Sequence, residues 1–332
     1  MVPPFCYHNQ YTDVFYNMPF APDNKHIIVN YHYIRERSEK YSGIHPCAPE
    51  EFERQVKFLS SQFRIATVKE VFDAAKQEIK DRLCALTFDD GFRDNFEHAL
   101  PVLEKYQAKG IFFPVAKVFQ GLLPTTHKVH VVLSKFSVPD LVRRFNRFLM
   151  EHAPRLAETY QIPSDRRITT ERKIFDDVLT ANFKEMMSIV PQELKRRFLD
   201  ALFVEADLRD SALVEEFFMG EREVKELLAR GHEIGSHGLT HDALDCLSEK
   251  EIEREVFDAK RIIGEISGSE PTVFSYPQSA PSKDIFNILE RAGFTHAVIV
   301  NTIRGVEKDD HPLMIPRYDT NDIRDYLKNH AS

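Results

Sequence analysis

The chain has 332 residues, 42% of them hydrophobic, with a formal net charge of -8 and no tryptophan. That length and apolar content can fill a sizeable core in one large or two modest domains. The negative balance, with no basic stripe, excludes a protein that tracks nucleic-acid phosphates, and no apolar run reaches the ~18 residues of a membrane span.

Met1 to His8 carry neither a basic start nor an apolar segment of signal-peptide length, so the expectation is a cytoplasmic protein. Cys6, Cys47, Cys84 and Cys246 stand far apart with no C-x-x-C spacing. No disulfide framework is therefore expected, and free thiols fit a reducing compartment. His26 to Tyr31 is an apolar, strand-like run that ends in Tyr31-His32.

Leu86-Thr87-Phe88-Asp89-Asp90-Gly91 is the most informative stretch, because two carboxylates close an apolar strand. Adjacent residues of a strand point opposite ways, so the two acids can take different jobs. The carboxyl ends of strands are where α/β folds hold ligands, and Gly91 suits a sharp turn. Alone, Asp-Asp-Gly is as well explained by a turn with a helix cap. Gly110 to Val115 follows as a further strand.

From Gln120 to Gly220 the pattern changes. Leu141 to Met150 and Leu194 to Phe203 are apolar at helical spacing, which predicts a mostly helical insertion over 120–220 whose phenylalanines form its own core. A pocket wall, a lid and a homodimer interface are the roles open to it. His127 and His130 are expected at a solvated helix start rather than at a second metal site.

Gly231 to His241 carries His237 and His241, and one helical turn would set both on one face towards a single divalent ion. Fourteen histidines in 332 residues supply roughly half of one H-x-x-x-H pair by chance, so the spacing gains weight only beside the diacid. Phe274-Ser275-Tyr276-Pro277 and Leu313-Met314-Ile315-Pro316-Arg317 are the last marked runs. Strand-like and helical segments alternate from His26 to Phe119 and from Glu221 onwards, which predicts an α/β fold with a mainly parallel sheet.

Taken together, T-F-D-D-G at Thr87 to Gly91 and S-H-G-L-T-H at Ser236 to His241 resemble the signatures of the polysaccharide deacetylases, the NodB homology family of carbohydrate esterase type. The resemblance implies a distorted (β/α) barrel over 1–119 and 221–332. It also implies Asp89 as catalytic base and Asp90, His237 and His241 as metal ligands. Phe274 to Pro277 resembles the family's third signature in an F-x-Y-P form that lacks the usual base-bracing arginine. Arg317 is the candidate replacement, and Tyr276 falls where the family holds the oxyanion. Tyr31-His32 resembles the members whose acid histidine lies near the N-terminus, which makes His32 the expected general acid.

These residue types suit amide hydrolysis. A divalent ion held by one carboxylate and two neutral imidazoles keeps open positions and brings the pKa of bound water towards about 7. Zinc is the default, and Co, Fe or Ni suit the same donors. The expected reaction is removal of an N-acetyl group from an amino sugar that is nucleotide-linked, lipid-linked or part of an oligosaccharide, as in the making of O-antigen or capsule precursors. A non-sugar amidase on a related barrel and a non-catalytic carbohydrate-binding relative are the alternatives.

Overall fold

Eight parallel strands make the frame of the computed structural model, which describes residues 20–168, 176–278, 283–299 and 304–330. They are β1 (His26–Tyr31), β2 (Arg64–Ile65), β3 (Leu83–Asp90), β4 (Gly110–Pro114), β5 (Glu233–Ile234), β6 (Val273–Ser275), β7 (His296–Val298) and β8 (Tyr318–Asp319). β3 pairs with β1 along one edge. Its other edge is shared between β2 at its start and β4 along its second half. β8 extends the sheet beyond β1 and β5 extends it beyond β4. β6 and β7 pair separately.

Two single bridges join these sheets into a ring. Ser236, just after β5, bridges to Phe274 in β6, and Val298 in β7 bridges to Ile315, just before β8. The bonds are ordinary in length: Ser275 N–H donates to the Ser236 carbonyl at 2.8 Å and Ile299 N–H to the Ile315 carbonyl at 3.0 Å. The result is the distorted barrel that the sequence implied, with two seams closed by a few bonds each.

β1 and β3 are buried along their whole lengths, as strands covered on both faces must be. Their alternation sorts the residues. Ile27, Val29, Tyr31, Cys84, Leu86, Phe88 and Phe112 pack outwards with Phe52, Val56 and Leu59 of helix Pro49–Gln62. Ile28, Ala85, Ile111 and Phe113 pack inwards with Val273, Val298 and Ile315. Continued towards the carboxyl ends, the inward positions of β1 and β3 become Asn30, Thr87 and Asp89, so the interior turns from apolar to polar where the strands finish.

By its internal contacts the chain divides into two units, the first made of Met1–Glu36, Pro46–Leu122 and Val214–Ser332 and holding the barrel. The second, Arg37–His45 with Leu123–Leu213, is helical. Its helices include Thr125–Lys135, Val138–His152, Val178–Ile189 and Gln192–Glu205. Phe145 and Phe198 are buried there and meet edge to face at 5.1 Å. Gly43 lies so close to helix Thr125–Lys135 that a Cβ would come within 2.8 Å of the His130 carbonyl. His127 is 3% exposed, which corrects the expectation of a solvated helix start. The cysteine expectation also needs correction: Cys47 and Cys84 are free, but Cys246 is disulfide-bonded.

Gly235 follows β5 at its seam with β6, where a Cβ would overlap the Phe113 ring and approach the Val273 carbonyl to 2.8 Å. Gly235→Ala is therefore expected to cost about 1–3 kcal/mol through overpacking. Urea unfolding should show a lower midpoint at an unchanged slope. An unchanged midpoint would mean that the seam is looser than described.

Candidate active site

Asp89 ends its strand fully buried, and Arg317, also fully buried, meets it with a two-pronged ion pair. Nη1 donates to Oδ1 at 2.9 Å and Nη2 to Oδ2 at 2.8 Å. The rest of the guanidinium is satisfied as well. Nε donates to the Ile299 carbonyl, Nη1 also to Asn30 Oδ1 and Thr87 Oγ1, and Nη2 also to Ser275 Oγ, all at 3.0–3.1 Å. Ser275 Oγ in turn donates to Asp89 Oδ1 at 3.1 Å. Burial alone would push the Asp89 carboxyl up, but the Arg317 guanidinium beside it prevails and holds it at about 2. Arg317, the sequence candidate for a brace, is thus placed directly against Asp89.

Asp90 has φ of 71° and Gly91 of 78°, so the strand ends in two successive left-handed residues. Only glycine fits at 91, where a Cβ would lie 2.7 Å from Pro114 Cβ. This kink breaks the alternation that would otherwise send Asp90 to the outer face. Its Oδ1 instead lies 3.1 Å from His241 Nε2 and 3.6 Å from His237 Nε2.

The two histidines do not sit on a helix, contrary to the sequence expectation. They lie on a loop after β5, in which Gly238 (φ 77°) and His241 (φ 66°) are left-handed. Asp90, His237 and His241 are all buried, and each offers a ligand atom within 4.8 Å of the others. Among the described residues this is the one such group. His237 Nδ1 faces the Ser275 carbonyl at 2.8 Å, and a carbonyl only accepts, so Nδ1 carries the proton and Nε2 keeps its lone pair for an ion. Burial lowers His237 to about 4 and so keeps it neutral. Burial also acts to lower His241, but the adjoining Asp90 carboxylate outweighs it and raises the imidazole above its ordinary value. One carboxylate and two imidazoles so placed fit a divalent ion, whose binding would displace the His241 proton.

His32, after β1, is half-buried with Nε2 4.0 Å from Asp89 Oδ2, the same distance at which His237 approaches that oxygen. Asn95 Nδ2 donates to the His32 carbonyl at 2.7 Å and fixes its backbone. At Tyr276 the structure departs from the expectation. Its backbone N–H donates to the Val298 carbonyl at 3.1 Å and its hydroxyl to the Leu313 carbonyl at 3.0 Å, so neither is offered to an oxyanion. Sequence reasoning missed Asn30, Thr87 and Ser275. The available signals were two polar residues at inward positions of apolar strands, and a serine where the R-x-P form has its arginine.

A ligand group that fits a divalent ion thus stands at the carboxyl end of a parallel barrel with a second acid beside it. The family model for polysaccharide deacetylase matches residues 76–147 and 174–297, and the chain belongs to that family. A curated Bacillus subtilis relative, named "Putative polysaccharide deacetylase YxkH", is 37% identical over 70 residues. That match spans 20% of this chain and 25% of the relative's length. Among solved structures, the Streptococcus pyogenes deacetylase PplD in complex with acetate superposes with a TM-score of 0.57 at 15% identity, over 95% of this chain and 100% of that one. IcaB from Ammonifex degensii gives 0.53 at 16%, over 92% and 97%. A de-N-acetylase from Aggregatibacter actinomycetemcomitans gives 0.52 at 12%, over 91% and 99%. At these identities the structural matches speak for the fold.

Removing one partner of the buried pair should be costly. Arg317→Met is expected to destabilise by about 3–5 kcal/mol, because Asp89 is left charged and uncompensated. The pH dependence has a definite sign. With Asp89 held near 2 against an ordinary 3.8, the native pair contributes on the order of 2 kcal/mol above about pH 4, and this is lost as pH falls through 2. In Arg317→Met the buried carboxyl rises instead, so the deficit against wild type should be largest near neutrality and shrink towards pH 3. Urea titrations from pH 3 to 7 check this, and a pH-independent deficit would contradict it.

Proposed function

We propose that this chain is a metal-dependent hydrolase that removes an N-acetyl group from an amino sugar. In this reading Asp89 is the general base, His32 the general acid, and Asp90, His237 and His241 hold a divalent ion, with zinc the default among several that suit these donors. The observation that carries it is the placement of Asp89, held ionised near neutrality by Arg317, 4.0 Å from both His32 and His237, beside the ligand group but not part of it.

When bound, the ion supplies Lewis acidity to the carbonyl and acidity to water. Asp89 accepts the proton of the water that attacks the carbonyl carbon. Its low basicity limits the driving force, but it stands in the accepting form at every working pH. Arg317 stays charged throughout, so it orients Asp89 without competing for the proton. Protonated His32 gives its proton to the departing nitrogen as the C–N bond breaks, leaving acetate and a free amine. An ester would depend less on this help because its leaving group is better, so a histidine beside the base favours an amide. The full ligand set with an ionised base also speaks against a non-catalytic relative. Surface-polysaccharide precursors are the narrower class to try first.

Acetate release from a panel of nucleotide-linked, lipid-linked and oligomeric N-acetyl sugars, with and without chelator, tests the reading. Asp89→Asn should lower turnover about 10²–10⁴-fold at unchanged metal content, and His237→Ala should lose both. His32→Ala should slow turnover over a similar range without metal loss. An active Asp89→Asn enzyme would sink the base assignment, and normal rates in His32→Ala would remove its acid role. Metal-dependent cleavage of a cyclic ureide, with every sugar inert, would favour the amidase alternative.

A further inference from the structure

The loop Ser236–His241 is pinned from both sides through its backbone and the Thr240 hydroxyl. On one side, the carbonyls of Gly238 and Leu239 accept from the N–H groups of Ala116 and Lys117, each at 3.0 Å. On the other stands Glu255, 5% exposed, from helix Glu249–Ser267. Its Oε2 accepts the backbone N–H of Leu239 at 3.0 Å and of Thr240 at 2.9 Å. Its Oε1 accepts the Thr240 hydroxyl at 2.7 Å.

Burying a carboxylate is costly unless its oxygens are satisfied, and here three donors from two consecutive residues do so. The helix behind it cannot follow the loop, because it begins with a Ser248–Glu251 capping box and buries Ile252, Val256 and Ala259. Gly238 has φ of 77°, and a Cβ there would lie 3.4 Å from Glu255 Oε2, so the loop turns tightly against this carboxylate.

We infer that Glu255 is a positioning residue that holds the His237–His241 loop in its ligating shape before any metal arrives. The inference rests on the reading of Asp90, His237 and His241 as metal ligands. Its mechanism is geometric: Glu255 fixes the peptide groups of Leu239 and Thr240 between the two histidines, and so fixes the separation of their rings. A competing electrostatic role, a negative charge that simply attracts the cation, makes a different prediction for glutamine. In Glu255→Gln the amide oxygen can still accept both N–H groups, and the amide nitrogen can donate to the Thr240 hydroxyl oxygen, so the clamp survives without charge. In Glu255→Asp the charge survives, but the side chain is one methylene too short to reach.

The test is Co2+ affinity of the full chain, measured by competition with a chelating dye, with the Co2+ visible spectrum as a second readout of ligand geometry. Glu255→Gln should bind within about threefold of wild type with an unchanged spectrum, whereas Glu255→Asp and Glu255→Ala should bind about 10–100-fold more weakly. Circular dichroism and apoprotein melting would establish that the variants are folded. Thr240→Val, which removes one leg of the clamp and keeps the carboxylate, should weaken binding at least about threefold, and it decides the matter if the other two fail to fold. Folded Asp and Ala variants with wild-type affinity would overturn the inference, as would Gln falling as far as Ala or Thr240→Val binding as tightly as wild type. Wild-type protein that binds no Co2+ would overturn the metal reading itself, an outcome distinct from failure of the clamp alone.

Discussion

The buried ion pair between Arg317 and Asp89 is the interaction on which the rest of the structure depends. Two charges taken out of water are tolerable only if each is fully met, and the guanidinium donates to several parts of the ring. Asn30 belongs to β1, Thr87 and Asp89 to β3, Ser275 to β6, Ile299 follows β7, and Arg317 immediately precedes β8. The barrel is closed at its seams by single bridges, and this one side chain spans the seam between β7 and β8. Charge compensation at Asp89 is therefore complete only when the ring is.

The same pair divides labour between two adjacent acids. Each oxygen of Asp89 accepts an N–H of Arg317, which fixes the orientation of the carboxylate. Asp90, turned by its left-handed backbone, is the acid within reach of both imidazoles. Strand alternation allowed the two acids different jobs, and the family resemblance implied which was which. The structure adds a kink at 90–91 that brings the second carboxylate back beside the two imidazoles.

Much of this was legible beforehand, for identifiable reasons. Apolar runs ending in chemistry-bearing residues located β1, β3 and β4 and placed His32 and Asp89 at strand ends, because a strand buried on both faces leaves an unbroken apolar signature. The resemblance in the Asp-Asp-Gly and Ser-His motifs supplied the ligand set. Arg317 was reached by asking what replaces a missing arginine. What escaped notice depends on tertiary context. The Ser236–His241 loop was read as helical because spacing alone reveals neither the left-handed Gly238 and His241 nor the hold of Glu255 on Leu239 and Thr240 from another element. Segment 37–45 carries no pattern that ties it to the helical unit, since its ties are tertiary: Gly43 packs against the His130 carbonyl and donates to Ser134 Oγ. Tyr276 was assigned by motif position, and the bridge to Val298 that takes up its N–H follows from the register of β6 on β7.

The central claim is that one carboxylate ligates a divalent ion while its neighbour, held by Arg317, stands apart as the base. An anomalous difference map at the zinc absorption edge, from crystals of the zinc-loaded protein, tests it most directly. The account predicts a single strong peak bound by Asp90, His237 and His241, with Asp89 outside ligand distance and still paired with Arg317. A peak ligated by Asp89, with Arg317 displaced, would contradict it, as would the absence of a peak between the two histidines.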